Sequence, residues 1–284
     1  MRAATLQRSV PIDATPPQLS PPTPDCVPPP GASPLERLRT RITCYARDVD
    51  AVLEHDPAAR SRLEVVLTYP GLHAVWGHRT AHALWKRDRK LTARVMSHLN
   101  RFITGIEIHP GATLGQGVFI DHGMGVVIGE TATIGYGCIL YKGVVLGGTS
   151  MARTVRHPQL GKHVVVGSNA CILGAIPIGD GARIGSGSVV VRPVPAGATV
   201  VGVPGRIVPL TTDRRARFDA TLDHASLPDP VTEMVRSLRD ENERLRQRLT
   251  QIERALGVSA PDEDDDALVD GASATPDLPS QAGG

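Results

Sequence analysis

The chain has 284 residues, of which 41% are hydrophobic and only 3% aromatic, and 31 basic residues nearly balance 29 acidic ones. The resulting net charge of +2 gives no global attraction to nucleic acid or to a membrane surface. No run of eighteen apolar residues could span a bilayer, and no apolar signal-peptide core opens the chain, so we expect a cytoplasmic protein. Four scattered cysteines without a CxxC pair favour reduced thiols over a disulfide framework or structural zinc site.

The N-terminal part of the chain is predicted to comprise a tail and a helical domain. Residues 1–34 are rich in proline and poor in large apolar residues, which is typical of a disordered segment. Apolar residues then recur at three- and four-residue steps from Leu35. We therefore predict an α-helical domain over residues 35–105, with later helices at about 58–68, 72–87 and 90–104.

An aliphatic residue recurs every six positions through the middle of the chain. A period of six excludes an α-helix and an alternating strand, and it predicts a parallel β-helix of hexapeptide turns over residues 106–208. Each aliphatic side chain would point into a triangular coil, and the glycine or small residue beside it would let the backbone bend. The repeating residues are Ile108, Leu114, Ile120, Ile128, Ile134, Leu140, Leu146, Leu160, Val166, Ile172, Ile178, Ile184 and Val190.

Two interruptions of this repeat carry the candidate functional groups. The first interruption contains Asp121 and His122, and the second, longer one contains Arg156 and His157. Loops that leave a rigid scaffold commonly hold functional residues. Each interruption thus places a histidine next to a charged residue where the six-residue repeat would place an aliphatic residue.

The C-terminal part is predicted to be a connector over 209–230, a coiled-coil helix over 231–257 and a disordered acidic tail over 258–284. A single amphipathic helix lying on the body is the alternative to the coiled coil. The residues that define the heptads are Val235, Leu238, Asn242, Leu245, Leu249, Ile252 and Leu256.

Several short motifs follow one another in order over roughly residues 45 to 208. They are His55-Asp-Pro-Ala-Ala, Tyr69-Pro-Gly-Leu-His-Ala, His78-Arg-Thr-Ala-His, Glu107-Ile-His-Pro-Gly-Ala, Phe119-Ile-Asp-His-Gly, Val127-Ile-Gly-Glu-Thr-Ala, Leu146-Gly-Gly-Thr, Arg156-His-Pro and Val201-Gly-Val-Pro-Gly-Arg. In order and spacing these motifs resemble those of the serine O-acetyltransferases, in the hexapeptide-repeat acyltransferase superfamily. The residues alone leave the handedness of the coil open, because the usual crossover rule would give a right-handed one; the resemblance implies a left-handed coil.

The resemblance implies direct transfer of an acetyl group from acetyl-CoA to the hydroxyl of L-serine in a ternary complex, the first step of cysteine biosynthesis. It gives His122 the role of general base, which suits an imidazole with an ordinary pKa of about 6.5. It gives Glu107 the role of orienting that ring, although many family members have Asp at this position. Glu130 would orient a neighbouring group. No metal is expected.

The resemblance also assigns the groups that bind the two substrates. Asp56 and Asp121 would hold the serine ammonium, while Arg156 and His157 would hold its carboxylate, because a guanidinium fork matches a carboxylate. Asp56 stands before a proline and could also cap a helix N-terminus. Coenzyme A would contact the chain near Gly148, Ser168 and Ser186, with Arg183 and Arg206 as candidates for its phosphates or, alternatively, as solvated charges.

Two other functions stay open at this point. One is another hexapeptide-repeat acyltransferase. The other is a metal-dependent β-helix lyase of the carbonic-anhydrase kind, which would need imidazoles that converge on zinc. Asp121 and Arg156 suit an amino-acid substrate better than a metal. The histidines available for such a site are His109, His122, His157 and His163.

The expected partners are further copies of the chain. Acyltransferases on this scaffold form trimers with active sites between subunits, so a trimer or a dimer of trimers is expected. Family members commonly bind O-acetylserine sulfhydrylase through a C-terminal peptide that ends in Ile. This chain ends with Gln281-Ala-Gly-Gly, so we do not expect that complex and assign the heptads to self-association.

Overall fold

The computed structural model describes residues 31–208 and 230–256. The N-terminal helices are α1 (Pro34–His55), α2 (Arg62–Thr68), α3 (Pro70–Lys86) and α4 (Lys90–Thr104). A capping box starts α1, in which the Ser33 hydroxyl accepts from the Glu36 amide and the Ser33 amide donates to the Glu36 carboxylate. Gly105, at φ 73°, ends α4 in the left-handed conformation that favours glycine. The predicted tails and connector lie almost wholly outside the described residues.

Two helix boundaries differ from the prediction. The second helix begins at Arg62 instead of residue 58, because Asp56 ends α1 and Ser61 caps α2 by accepting from the Glu64 amide. The third begins at Pro70 itself, since proline is well tolerated in a first helical turn.

The coil consists of short strands that form three sheets. Sheet A is β1-β4-β7-β10-β13, sheet B is β2-β5-β8-β11, and sheet C is β3-β6-β9-β12-β14-β15, in which only the β14–β15 pair is antiparallel. The strands are β1 (Glu107–Ile108), β2 (Thr113–Leu114), β3 (Phe119–Ile120), β4 (Val127–Ile128), β5 (Thr133–Ile134), β6 (Ile139–Leu140), β7 (Val145–Gly147), β8 (Gln159–Leu160), β9 (Val165–Val166), β10 (Cys171–Leu173), β11 (Pro177–Ile178), β12 (Arg183–Ile184), β13 (Val189–Val190), β14 (Thr199–Val201) and β15 (Arg206–Val208).

The strand register confirms the hexapeptide prediction. Ile128 pairs with Leu146, eighteen residues on, so one turn of the coil takes three hexapeptides. Across the first interruption Ile108 pairs with Ile128, and across the second Leu146 pairs with Ile172. Both interruptions are therefore extruded from the coil, and the ladder re-enters in register. The repeating aliphatic residues form one buried core.

The helices pack on the coil through an apolar cluster and a buried ion pair. Asp48 is 1% exposed, receives two hydrogen bonds from Arg79 (2.7 and 3.0 Å) and accepts another from the Gly117 amide. At Gly71 a Cβ would lie 2.0 Å from the Ile120 carbonyl oxygen, so the start of α3 touches the coil backbone. The apolar cluster comprises Val49, Val52, Val65, Leu72, Phe119, Ile139 and Val165. This contact holds the end of α1 beside the first interruption.

The cysteines depart in part from the expectation of reduced thiols. Cys138 and Cys171 are free, and burial raises the pKa of the Cys138 thiol to about 12. Cys44 is disulfide-bonded, so the expectation is wrong for that residue.

The C-terminal helix, α5 (Pro230–Leu256), belongs to a second unit that begins at Thr232. The large apolar side chains described in this helix, from Val235 to Leu256, are largely exposed. Across the parts of the chain that the structure describes, no helix is long and apolar enough to cross a membrane.

Candidate active site

The functional candidates gather at two corners of the triangular coil. We call the turns that lead from sheet C to sheet A the first corner, and those that lead from sheet A to sheet B the second corner. Asp121 and His122 follow β3 and lie at the first corner. Arg156 and His157 precede β8 and lie at the second corner, with Glu130 on the preceding turn. The width of sheet A separates the two sets.

His122 presents its ring to solvent from an unusual backbone conformation. Its φ is 55°, its side chain is 80% exposed, and its Nε2 lies 3.8 Å from Asp121 Oδ1. A left-handed conformation is costly for a residue with a Cβ, and such residues cluster at functional sites. The next residue, Gly123, has no room for a side chain, because a Cβ there would lie 2.2 Å from Ile106 Cδ1. The turn therefore holds His122 outward.

Asp56 joins the first corner from the end of α1. Its Oδ1 accepts a hydrogen bond from the Ala58 amide at 2.8 Å, and its Oδ2 accepts one from the Tyr69 hydroxyl at 2.6 Å. These bonds fix the orientation of the carboxylate. The alternative in which Asp56 caps a helix N-terminus is wrong, because Asp56 is the C-cap of α1 and Ser61 caps α2.

Two carboxylates and two phenols share the electrostatics of the first corner. Burial raises the pKa of Asp121, the nearby His122 opposes that shift, and the charge of Asp56 adds to it. Burial and the bond to Asp56 raise the pKa of Tyr69 to about 12. Burial, then the charges of Asp121 and Asp56, raise the pKa of Tyr141. A cation placed between the two carboxylates would relieve their mutual repulsion.

The sequence reasoning missed both tyrosines. Tyr69 lies thirteen residues from Asp56, so only the packing of α3 against α1 brings them together. Tyr141 follows β6, which pairs with β3, and it therefore lies one turn along the coil from Asp121. The paired hexapeptides were a usable signal for Tyr141, because each corner position recurs on the next turn.

Glu107 is not joined to His122 in the structure. Its carboxylate lies 3.1 Å from the Arg101 guanidinium, in a half-exposed pair between α4 and β1. Among the described residues, the carboxylate within 4 Å of His122 belongs to Asp121.

Thr131 organises the second corner, and the sequence reasoning missed this residue as well. Its hydroxyl accepts from the Arg156 and His157 amides at 3.0 and 3.1 Å. The same hydroxyl lies 2.8 Å from His157 Nδ1, so it donates its proton to that nitrogen. Arg156 reaches Glu130 at 3.4 Å, which places Glu130 where it can orient the guanidinium.

His157 is buried with one ring nitrogen occupied. The residue is 6% exposed, and its Nδ1 also accepts from the Thr131 amide at 3.2 Å. The hydrogen bonds assign the proton to Nε2, which lies against Gly129 and Gly148. Burial, then the charge of Arg156, lowers the pKa of His157. The second corner thus presents the neutral Nε2–H donor of His157 next to the Arg156 guanidinium.

The coenzyme A candidates divide between the corners. Gly148 lies at the second corner against His157. Ser168 and Ser186 stack on successive turns of the first corner, where the Gly187 amide donates to the Ser168 carbonyl at 2.8 Å. Arg183 donates to the Gly181 carbonyl at 3.1 Å, and Arg206 is exposed on β15.

The histidines proposed for a zinc site do not converge within the chain. His109 and His157 lie at the second corner, His122 at the first, and His163 at the turn between sheets B and C. His109 Nδ1 accepts from the Gly111 amide, and burial lowers the pKa of His109 to about 4. In the described segments, no group of three or more His, Cys, Asp or Glu side chains could hold a metal ion.

Comparison with known proteins assigns the family. The profile of the hexapeptide repeat of succinyl-transferase matches residues 159–192. A serine acetyltransferase from Bacillus licheniformis is 52% identical over 207 residues, which cover 73% of this chain and 94% of that protein. The solved serine acetyltransferase from Vibrio cholerae superposes with a TM-score of 0.61 at 37% identity, over 65% of this chain and 71% of that one.

A further solved structure is that of Neisseria gonorrhoeae serine acetyltransferase in complex with serine. It superposes with a TM-score of 0.57 at 39% identity, over 63% of this chain and 78% of that one. The predicted fold class, a helical domain followed by a left-handed parallel β-helix and a C-terminal helix, is confirmed. Because the Bacillus licheniformis relative is 52% identical over 73% of this chain and 94% of its own length, this chain belongs to the serine acetyltransferase family.

Proposed function

We propose that the chain transfers the acetyl group of acetyl-CoA to the hydroxyl of L-serine and gives O-acetyl-L-serine and coenzyme A, the first step of cysteine biosynthesis. The family supports this reaction, and the Neisseria gonorrhoeae relative was solved with serine. The observation that carries the proposal is the pairing of an exposed imidazole with a carboxylate subsite at one corner and a guanidinium subsite at another. These three groups match the hydroxyl, ammonium and carboxylate of one amino acid.

The charges support a division of the substrate between the corners. Asp56 and Asp121 present two carboxylates that favour a cation, which suits the serine ammonium. Arg156 and the Nε2 proton of His157 present two donors, which suit the serine carboxylate. Glu130 would hold the Arg156 fork in place.

His122 would act as the general base. As the serine oxygen attacks the thioester carbon, the neutral imidazole takes the hydroxyl proton. The carbon–sulfur bond then breaks, the thiolate leaves, and the imidazolium returns its proton to the sulfur. No enzyme nucleophile takes part, so the acetyl group passes directly within a ternary complex. Asp121 lies close enough to stabilise the imidazolium. A role for Glu107 in orienting the ring would require its carboxylate to leave Arg101.

A homo-oligomer would complete the site. One side of the coil is an extended segment on the order of 15 Å wide, well beyond the size of serine. Among the described residues, no hydrogen bond or ion pair joins Asp121 or His122 to Arg156 or His157. We propose that the first corner of one subunit meets the second corner of its neighbour, in a trimer or a dimer of trimers.

Coenzyme A would then lie between subunits, along the stacked turns of the first corner. Ser168 and Ser186 lie on that stack, and Gly148 of the neighbour would approach it with His157. Arg183 and Arg206 are the cations proposed for the coenzyme phosphates. A cytoplasmic location would suit an enzyme that draws on acetyl-CoA.

Release of coenzyme A thiol on mixing the protein with acetyl-CoA and L-serine tests the function. His122→Asn should lower kcat about 10²- to 10⁴-fold, the usual contribution of general-base catalysis. His163→Asn is a matched control, because His163 is also exposed with a left-handed φ of 53° but lies at the turn from sheet B to sheet C. Equal loss in the two variants, or serine-independent thiol release, would contradict the proposal.

A further inference from the structure

The helix α5 carries a single apolar stripe that is exposed in the described part of its unit. Between 53% and 70% of each stripe residue is exposed, and the intervals between these positions alternate between three and four residues once Asn242 is included. The apolar positions therefore repeat every 3.5 residues on average, which is less than the 3.6 residues per turn of a straight α-helix. Two helices keep such a stripe in contact by winding around each other in a left-handed supercoil. The stripe residues are Val235, Leu238, Leu245, Leu249, Ile252 and Leu256.

The rest of the described α5 surface is polar. On its outer side the Gln247 amide donates to the Glu243 carboxylate at 3.2 Å, one helical turn away. At 27 residues α5 is about 40 Å long, and the narrow stripe runs from Val235 to the C-terminal end of the helix. A long helix with one apolar seam and polar flanks is typical of a two-stranded coiled coil.

We propose that α5 pairs with α5 of a second copy of this chain, parallel and in register. Because three helices cannot all pair within one trimer, this pairing joins helices of two trimers. The stripe alternates between two kinds of seam position: Val235, Asn242, Leu249 and Leu256 are the first, and Leu238, Leu245 and Ile252 are the second. In a parallel, in-register pair the residue before a first-seam position faces the residue after the next second-seam position of the partner helix. Glu241 then faces the partner's Arg246, and Arg248 faces the partner's Glu253. Twofold symmetry repeats each contact, so all four flanking pairs that these residues form are attractive.

Asn242 sets the register of this pairing. In the parallel, in-register arrangement it faces its own counterpart, and each side-chain amide supplies a donor and an acceptor to the other. A shift by one heptad would place Asn242 against Val235 or Leu249 and bury an unpaired amide, which costs more than a paired one gains. Only the in-register alignment therefore gives the Asn242 side-chain amide a hydrogen-bonding partner.

An antiparallel pairing satisfies neither condition. With Val235 facing Ile252, Asn242 would face Leu245 and lose its polar partner. Residues on the same flank of the two helices would then meet: Glu241 would face Arg248, but Arg239 would lie against Arg246, so the attraction on one flank would be offset by repulsion on the other. The charge pattern and the seam amide thus independently select the parallel arrangement.

Oxidative cross-linking of the full-length chain tests this geometry. Asn242→Cys should give covalent dimers, because in-register seam positions lie face to face. Asp240→Cys, on the outer side of α5, is the matched control with the same native thiols. We expect at least a fivefold higher dimer yield from the first variant. Equal yields would overturn the proposal and mean that α5 stays single or binds something else.

A charge reversal sharpens the test. In the Asn242→Cys chain, Arg246→Glu places like charges on both flanks, so the cross-linked yield should fall several-fold. Adding Glu241→Arg should restore it. Failure of this rescue overturns the proposal, as would preferential cross-linking between Val235→Cys and Ile252→Cys chains mixed together, which reports antiparallel helices. Because α5 carries none of the proposed catalytic or substrate-binding residues, these outcomes leave the proposed function untouched.

Discussion

The two corners hold their histidines in opposite ways. His122 at the first corner is 80% exposed on a left-handed turn, with one carboxylate 3.8 Å away. His157 at the second corner is 6% exposed, with its Nδ1 engaged by Thr131. A base must reach a substrate proton and exchange it, whereas a carboxylate receptor must keep one donor in one place. The contrast therefore matches the two proposed roles on the same scaffold.

The backbone explains the difference. The first interruption turns through His122, Gly123 and Gly125, all at positive φ, and projects a short loop into solvent. The second interruption is longer, and it returns to β8 through hydrogen bonds to Thr131 on the preceding turn of the coil. His122 is exposed on a turn with left-handed backbone angles, whereas His157 is buried where the Thr131 hydroxyl bonds its ring and backbone.

The largest expected effect comes from mixing two inactive variants. His122→Asn removes the first corner, and Arg156→Ala removes the second. Hetero-oligomers of the two chains should recover up to about one quarter of wild-type activity, because a site between subunits is intact when each neighbour supplies its unmodified corner. Activity of the co-expressed, co-purified mixture checks this. If both corners of one chain served the same serine, the mixture would stay as inactive as its components.

A smaller loss of activity should follow when the second corner loses the hydrogen bonds of the Thr131 hydroxyl, which we call the Thr131 brace. Thr131→Val keeps the shape but removes the hydroxyl that orients His157 and the Arg156 backbone. Buried bonds of this kind contribute roughly 0.5–1.5 kcal/mol each, so we expect the KM for serine to rise about tenfold with a smaller change in kcat. Thr133→Val, which loses only the bond to Gln159, is the matched control. Equal KM values would show that His157 needs no brace.

The repeat in the sequence predicted much of the fold. The six-residue period assigned the buried position of each rung, and the interruptions located Asp121, His122, Arg156 and His157. Contacts between side chains on different elements were not predictable, since no period links them. The bond from Tyr69 to Asp56, the Thr131 brace and the pairing of Glu107 with Arg101 are of this kind. The spacing of motifs predicts where residues lie along the coil, whereas these contacts depend on how the helices pack and on side-chain rotamers.

The first corner should respond mildly to loss of the Tyr69 hydroxyl. Tyr69→Phe removes the 2.6 Å bond that fixes Asp56 Oδ2, while the Ala58 amide still holds Oδ1. We expect the KM for serine to rise roughly three- to tenfold, which corresponds to a loss of about 0.7–1.4 kcal/mol, because the bond to the Ala58 amide still orients the carboxylate. Tyr136→Phe, at a partly exposed ring beside His163, should leave KM unchanged. A fall in kcat at constant KM would instead place Tyr69 in the chemical step.

The smallest effect concerns acid stability and again separates the corners. The α3 histidines support the second corner, since His82 bonds the Pro110 carbonyl and His78 the Ala112 carbonyl. Burial, then the charges of His82 and Arg79, lowers the pKa of His78 to about 3. Between pH 6.5 and 3 the His78 imidazole binds a proton in the unfolded chain but stays neutral in the folded chain. Protonation therefore favours the unfolded chain, and the free energy of unfolding is highest above pH 6.5 and decreases as the pH falls.

The loss should approach about 1.4 kcal/mol per pH unit for one such histidine. Urea unfolding at pH 7.5 and 5.5 measures it in the wild-type chain and in His78→Asn, whose pH slope should be shallower whatever its absolute stability. His98→Asn, at an exposed α4 position, should keep the wild-type slope. A slope that His78→Asn leaves unchanged would assign the acid sensitivity to other groups and remove the second corner's dependence on a neutral α3 histidine.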